Sequence, residues 1–229
     1  MPTDVSLIAL LSFSALLPFL IASGTCYVKF SIVFIMMRNA MGLQQVPSNM
    51  TLNGIALLLS LFVMAPVAQQ AYDHFSRGAR IDSVASLNSF ADEGLSGYRN
   101  YLKKYADPDL VAFFQRAQNA RQHGQDGDED YAPRQDAEAE YDAERPSILA
   151  LLPAYALSEI KSAFKIAFFL YVPFVVVDLL ISSILLALGM MMMSPVTISV
   201  PVKLLLFVAL DGWTLLSKGL VLQYLDVAG

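Results

Sequence analysis

The sequence predicts an all-α, membrane-associated chain of helical hairpins, with about four hydrophobic helices and an acidic helical soluble insert. Three observations carry this reading. Apolar residues make up 56% of the 229 and charged residues 15%, against about 25% charged in an ordinary soluble domain. The apolar residues gather in runs that reach the roughly 20 residues a membrane helix needs. Charge is concentrated instead in residues 72–147, which hold nine Lys/Arg and fifteen Asp/Glu.

Residues 1–71 read as the first hairpin. Positions 5–37 are apolar apart from a few hydroxyls, Gly24 and Lys29, and exceed one span, so a break is expected near Ser23–Thr25. A secretory leader would begin with basic residues, whereas the only early charge is Asp4, so the segment reads as a retained helix. "RNAMGLQQVPSNM" (38–50) is a polar connection with Gly42 and Pro47, and Leu52–Ala68 is the second helix. Arg38 is the one charge in that connection, and by the positive-inside rule it sets the loop on the cytoplasmic side.

Residues 72–147 read as an acidic domain placed outward. Leu95, Tyr98, Leu102 and Tyr105 recur at helical spacing, and "DPDL" supplies Asp107 as N-cap and Pro108 at the first helical position. At about 124–146 nine acids fall between positions 126 and 144 with almost no aliphatic residues, the composition of a solvated, disordered linker. Asp126, Asp128 and Asp130 imitate the start of a calcium loop. Tyr131 stands where such a loop needs glycine, and Ala137 where it needs glutamate.

Residues 148–229 read as the second hairpin. A helix is expected over about 157–188, its apolar core interrupted by Pro173 and Asp178. "GMMMMSP" (189–195) makes the turn, and a last helix spans about 202–225. Lys29, Asp178, Lys203, Asp211 and Lys218 all sit in apolar segments, where a charge costs about 2.5–3.5 kcal/mol at the bilayer centre. Folding the hairpin about the turn sets Asp178 level with Asp211, acid near acid. That sends these charges to partners on other chains, with snorkelling or hydration as the alternative. Met190, Met191, Met192 and Met193 have two readings: gap-filling core side chains, or a deformable apolar lining.

Several function classes lack their residues. The only histidines are His74 and His123 and the only cysteine is Cys26, so neither a metal cluster nor a disulfide is expected. No phosphate loop, nucleophile elbow or basic nucleic-acid patch is present, and no cofactor is expected. An intramembrane aspartyl protease built on Asp178 and Asp211, and a small-solute transporter, remain as alternatives.

Several stretches resemble one known family. "LLPFLIASGTCYVKFSIVFIMMRNAMGLQQVPSNM" (16–50) looks like the first hairpin of the SctR/FliP export-gate proteins of type III secretion systems, and 151–216 resembles their C-terminal hairpin. The pattern P-A-Y-x-x-S-E-I-x-x-A-F-K places its residues at Pro153, Ala154, Tyr155, Ser158, Glu159, Phe164 and Lys165, and "GMMMMSP" and "ALDGW" follow. The methionine turn and the "LDGWTLLSKGLVLQYLD" ending look like the injectisome branch. Ala167 departs from a glycine common in the family, which adds a methyl where helices pack closely.

The resemblance implies a ring of five copies that joins SctS-like and SctT-like subunits in a helical pore complex. SctU-like switch and SctV-like export-gate proteins would stand alongside. Unfolded secreted proteins would be the cargo, and membrane lipid a contact. It also implies an inner-membrane protein, multi-pass by sequence, whose assembly lies largely at or above the periplasmic face. In that setting Met190–Met193 would form the pore gasket.

Overall fold

The computed structural model describes residues 21–76, 95–123, 146–190 and 192–225, together with Leu11, Ala15, Pro18 and Phe19. Most of the apolar stretch before Ile21, the linker with its calcium-like aspartates, and Met191 lie outside the described residues. The helices are α1 Tyr27–Ala40, α2 Asn49–Ser76, α3 Ser96–Tyr105, α4 Pro108–His123, α5 Ile148–Ala187, α6 Pro195–Ala209 and α7 Gly212–Leu225. Among the described residues there is no strand, so the chain is all-helical.

Helix boundaries follow their capping chemistry. Ser48 starts α2 by accepting the Thr51 N–H at 3.2 Å. Asp107 caps α4 through the Asp109 N–H at 3.1 Å, with Pro108 at the first helical position. Helix α5 begins at Ile148 rather than the expected Leu157, because Ser147 is its N-cap and accepts from the Ala150 N–H at 3.2 Å. The helical turn at 21–24 stops at Thr25 and Cys26 before α1 begins.

The expected single last helix is two helices, α6 and α7, bent by 60°. Asp211 stands at the corner with φ +49°, a left-handed conformation that Asp adopts more readily than most residues. The neighbouring glycine is required for space, because a Cβ on Gly212 would run into the Phe207 ring. Helix α6 also starts earlier than expected, where Ser194 is extended and Pro195 fixes the first turn.

The chain divides into two compact units. One comprises residues up to Thr25 and Met64–Glu159. Its centre is aromatic: Tyr101 lies 5.5 Å from Tyr155 and 5.1 Å from Tyr105 between ring centroids. The Tyr101 and Tyr155 hydroxyls are 2.7 Å apart, joining α3 to α5. Ser158 ties α5 to the α3–α4 corner, accepting the Asp107 N–H and donating to the Ala154 carbonyl, each at 2.7 Å. The Tyr98 hydroxyl donates to the Gly24 carbonyl at 2.9 Å.

The other unit comprises Cys26–Val63 and Ile160–Gly229. Helix α1 is its buried member, with Phe30, Val33, Phe34 and Met37 inside at helical spacing. Ser31 bonds to Asn53 at 2.7 Å and Cys26 to Ser60 at 3.6 Å, which sets α1 and α2 antiparallel. Aromatic packing within this unit converges on Phe207, which lies 5.2 Å from Trp213 and 6.5 Å from Phe174 between ring centroids.

Among the described residues two helices are long and apolar enough to cross a membrane, Asn49–Asp73 within α2 and the 40-residue α5, and the bent α6–α7 pair makes a third if it counts as one span. Only 22% of the most apolar window of α2 and 11% of that of α5 is buried within the chain. Such surfaces need lipid or other protein against them.

Burial pushes the Tyr98 hydroxyl up from 10.0 to about 12. A raised folded-state value means that the stability it contributes is complete below pH 10 and is lost as pH climbs toward 12. Alkaline unfolding monitored by circular dichroism is expected to lose about 2–3 kcal/mol across that window, a loss that Tyr98→Phe removes. The Tyr101–Tyr155 pair gives a second expectation. Either single change to Phe removes the bond between the two hydroxyls and costs about 0.5–1.5 kcal/mol, whereas the double change costs less than the two singles summed. Denaturant titration of the three variants measures this.

Candidate functional site at the methionine turn

The turn between α5 and α6 is built by its backbone. Gly189 adopts φ +73°, and two hydrogen bonds close the end of α5: Gly189 N–H to the Leu186 carbonyl and Met190 N–H to the Leu185 carbonyl, both 3.0 Å. This is a Schellman cap, and glycine supplies the left-handed residue it requires. Met193 N–H then bonds back to the Met190 carbonyl at 3.2 Å. On this frame Met190 is 41% exposed, Met193 43%, and Met192 fully exposed. Among the described methionines of the turn, none is a core side chain.

Behind the turn lies a buried ammonium. Lys203, on α6, is 4% exposed. Its Nζ donates to Asp178 Oδ2 on α5 at 2.5 Å and to the Ala40 carbonyl at 3.2 Å. The sequence reading sends both charges to other chains because it sets Asp178 level with Asp211. The hairpin instead turns at Gly189–Met193, and positions 178 and 203 lie equally far from a midpoint between 190 and 191. Ion pairing within the chain follows from that register.

Ala40 is the last residue of α1, so the ammonium also sits at the negative end of a helix dipole. Every carbonyl at the end of α1 is matched. The Met37, Arg38 and Asn39 carbonyls accept from the N–H groups of Met41 (3.2 Å), Leu43 (3.3 Å) and Gly42 (3.0 Å). The Ala40 carbonyl is left, and Lys203 takes it. Gly42, at φ +80°, is the second Schellman glycine, and a Cβ there would meet the Val200 side chain of α6 at 2.6 Å.

The other charges in apolar segments fare differently. Lys29 is 5% exposed and lies over the Tyr224 ring, 4.6 Å from its centroid. Asp211 forms the α6–α7 corner and is exposed, as is Lys218 on α7. Arg38, read from the sequence as an orienting loop charge, is buried and donates to the Pro47 carbonyl at 3.0 Å. It therefore braces the loop rather than standing in it.

The structure also gives the family pattern of the sequence a physical meaning. Ala154, Tyr155, Ser158 and Glu159 are buried, Pro153 is half-buried, and Phe164 and Lys165 are exposed on the same helix. Ala167 is buried, so the extra methyl is accommodated. Sequence reading misses the partners of these groups: Tyr101 for Tyr155, the Asp107 N–H for Ser158, and the Ala40 carbonyl for Lys203. The glycine at 42 is the one available signal for the last of these, since it marks where α1 ends.

The two members of the clasp differ in burial, and this predicts unequal effects. Asp178→Ala leaves an ammonium buried without its counter-ion and is expected to cost about 3 kcal/mol. Lys203→Met leaves a carboxylate that is 43% exposed and open to water, so about 1–2 kcal/mol is expected. Combining the two recovers part of the Asp178→Ala loss. Unfolding of the detergent-solubilised variants measures all three, and equal single-variant losses would contradict the clasp.

Known proteins share this arrangement of sequence. The chain matches the FliP family over residues 10–220. It is 66% identical to surface presentation of antigens protein SpaP of Salmonella typhimurium, over 100% of both chains. Yop proteins translocation protein R of Yersinia pestis is 44% identical over 98% of each chain, and harpin secretion protein HrcR of Erwinia amylovora 40% identical over 92% of each. A match of this extent, carried through both hairpins and the methionine turn, makes the chain a member of the FliP family of type III secretion export-gate proteins.

Proposed function

We propose that this chain is a core subunit of a type III secretion export apparatus. Five copies assemble with SctS-like and SctT-like subunits, and SctU-like and SctV-like proteins stand alongside. Together they form the portal by which unfolded effector and needle proteins cross the bacterial inner membrane. The hairpins of residues 1–71 and 148–229 build the conduit, and the acidic domain of 72–147 faces the periplasm. The low burial of α2 and α5 within the chain supports assembly with other subunits.

Met190–Met193 serve as the gasket. The observation that carries this reading is the exposure of Met190, Met192 and Met193 beside the capped end of α5. Unbranched, polarizable thioethers adapt to a passing polypeptide of any sequence. Between passages an apolar constriction excludes ions by dewetting. Asp211, exposed at its corner, is available to join neighbouring subunits. Asp178 accepts from an ammonium, which disfavours its sharing a proton with a second carboxylate as an aspartyl protease requires.

Changing Met190, Met191, Met192 and Met193 together to alanine is expected to leave the mass of the extracted complex unchanged. Ion conductance of the closed portal in planar bilayers should rise severalfold. Wild-type conductance in a fully assembled variant complex would refute the gasket.

A further inference from the structure

A groove of about 450 Å³ runs between α2 and α7, and its walls are apolar except at one edge. Leu59 and Phe62 form one wall, and Val221, Leu222 and Leu225 the other. Lys218 lies along it and is the only charged residue lining it. The volume falls within the range of small-molecule sites.

Lys218 is exposed and makes no ion pair among the described residues. It is also the only charge on α7, within a helix that is otherwise apolar or uncharged. A lysine in that setting lays its four-carbon stem along apolar surface and reaches with its ammonium for a polar layer. The groove therefore offers a hydrocarbon-compatible slot with one cation at its edge, beside a helix long and apolar enough to span a membrane.

We propose that this groove holds one acyl chain of an anionic phospholipid, with Lys218 on the headgroup phosphate. A second copy of the chain fits less well, because it would have to answer the ammonium with an acid. On the described apolar helices Glu159 is buried and Asp178 is held by Lys203. Asp73 already has a partner, which leaves Asp211, at the α6–α7 corner and outside the lining of the groove. A phosphodiester brings anion and hydrocarbon together in one molecule. The inference rests on the apolar spans and is independent of the methionine gasket.

The test uses the full chain in its extracted complex, exchanged into micelles containing either phosphatidylglycerol or phosphatidylcholine, with bound lipid counted by native mass spectrometry. Wild type should retain phosphatidylglycerol over phosphatidylcholine. K218Q should lose about fivefold of that retention, and K218R should keep it. Leu222→Trp, which fills the slot without touching the charge, should lower retention of both lipids. Equal retention of the two lipids by wild type, or undiminished phosphatidylglycerol in K218Q, would overturn the proposal. So would a carbodiimide cross-link from Lys218 to an acid of another chain, or a K218Q protein that fails to assemble, since either would give the lysine to a protein partner.

Discussion

The second unit depends on where one ammonium finds its counter-charge. Lys203 is almost fully buried, and a buried cation survives only if it is paired and hydrogen-bonded. It meets both demands at once, with a carboxylate from α5 and the last carbonyl of α1. Ser199, Lys203 and Phe207 make one buried stripe along α6, so the charge sits between a small hydroxyl and a large ring. Three helices are thereby fixed to a single point, about two helical turns from the bend that carries the methionines. A hydrophobic contact tolerates sliding, but a charge-assisted hydrogen bond of this geometry does not.

Helix α1 and helices α2 and α5 illustrate two ways for a sequence to be apolar. α1 spends its large side chains inside the chain. α2 and α5 keep theirs outside, with Leu58, Phe62, Phe168, Phe169 and Leu179 each more than half exposed. α5 rises about 60 Å over its length, roughly twice the thickness of a bilayer's hydrocarbon core. Some of its apolar surface must therefore meet something other than acyl chains.

Much of this is readable in the sequence. Helical class follows from composition and periodicity. Asp107–Pro108 and Gly42 are local signals whose effect is complete within a few residues, and both act as their chemistry predicts. The failures are also local in cause. Ser147 extends α5 backward, as a cap that periodicity alone does not reveal. Asp211 breaks the last helix because a non-glycine residue takes the left-handed position beside a glycine. The pairing of Lys203 is missed when register is counted from the wrong turning point, an error of a few residues that exchanges an acid for a base. The tyrosine cluster has no signal at all, since Tyr101 and Tyr155 are far apart in sequence and nothing in either neighbourhood names the other.

The closing of α1 has a broader meaning. Each of its final four carbonyls already has a donor, so this helix end asks nothing of water. Most helix termini need a wet surface or a partner's help. This one is self-sufficient, so its surroundings can change from lipid to protein without exposing an unmet backbone group at this end. Its readiness to change surroundings is written into a glycine and a lysine far apart in the chain.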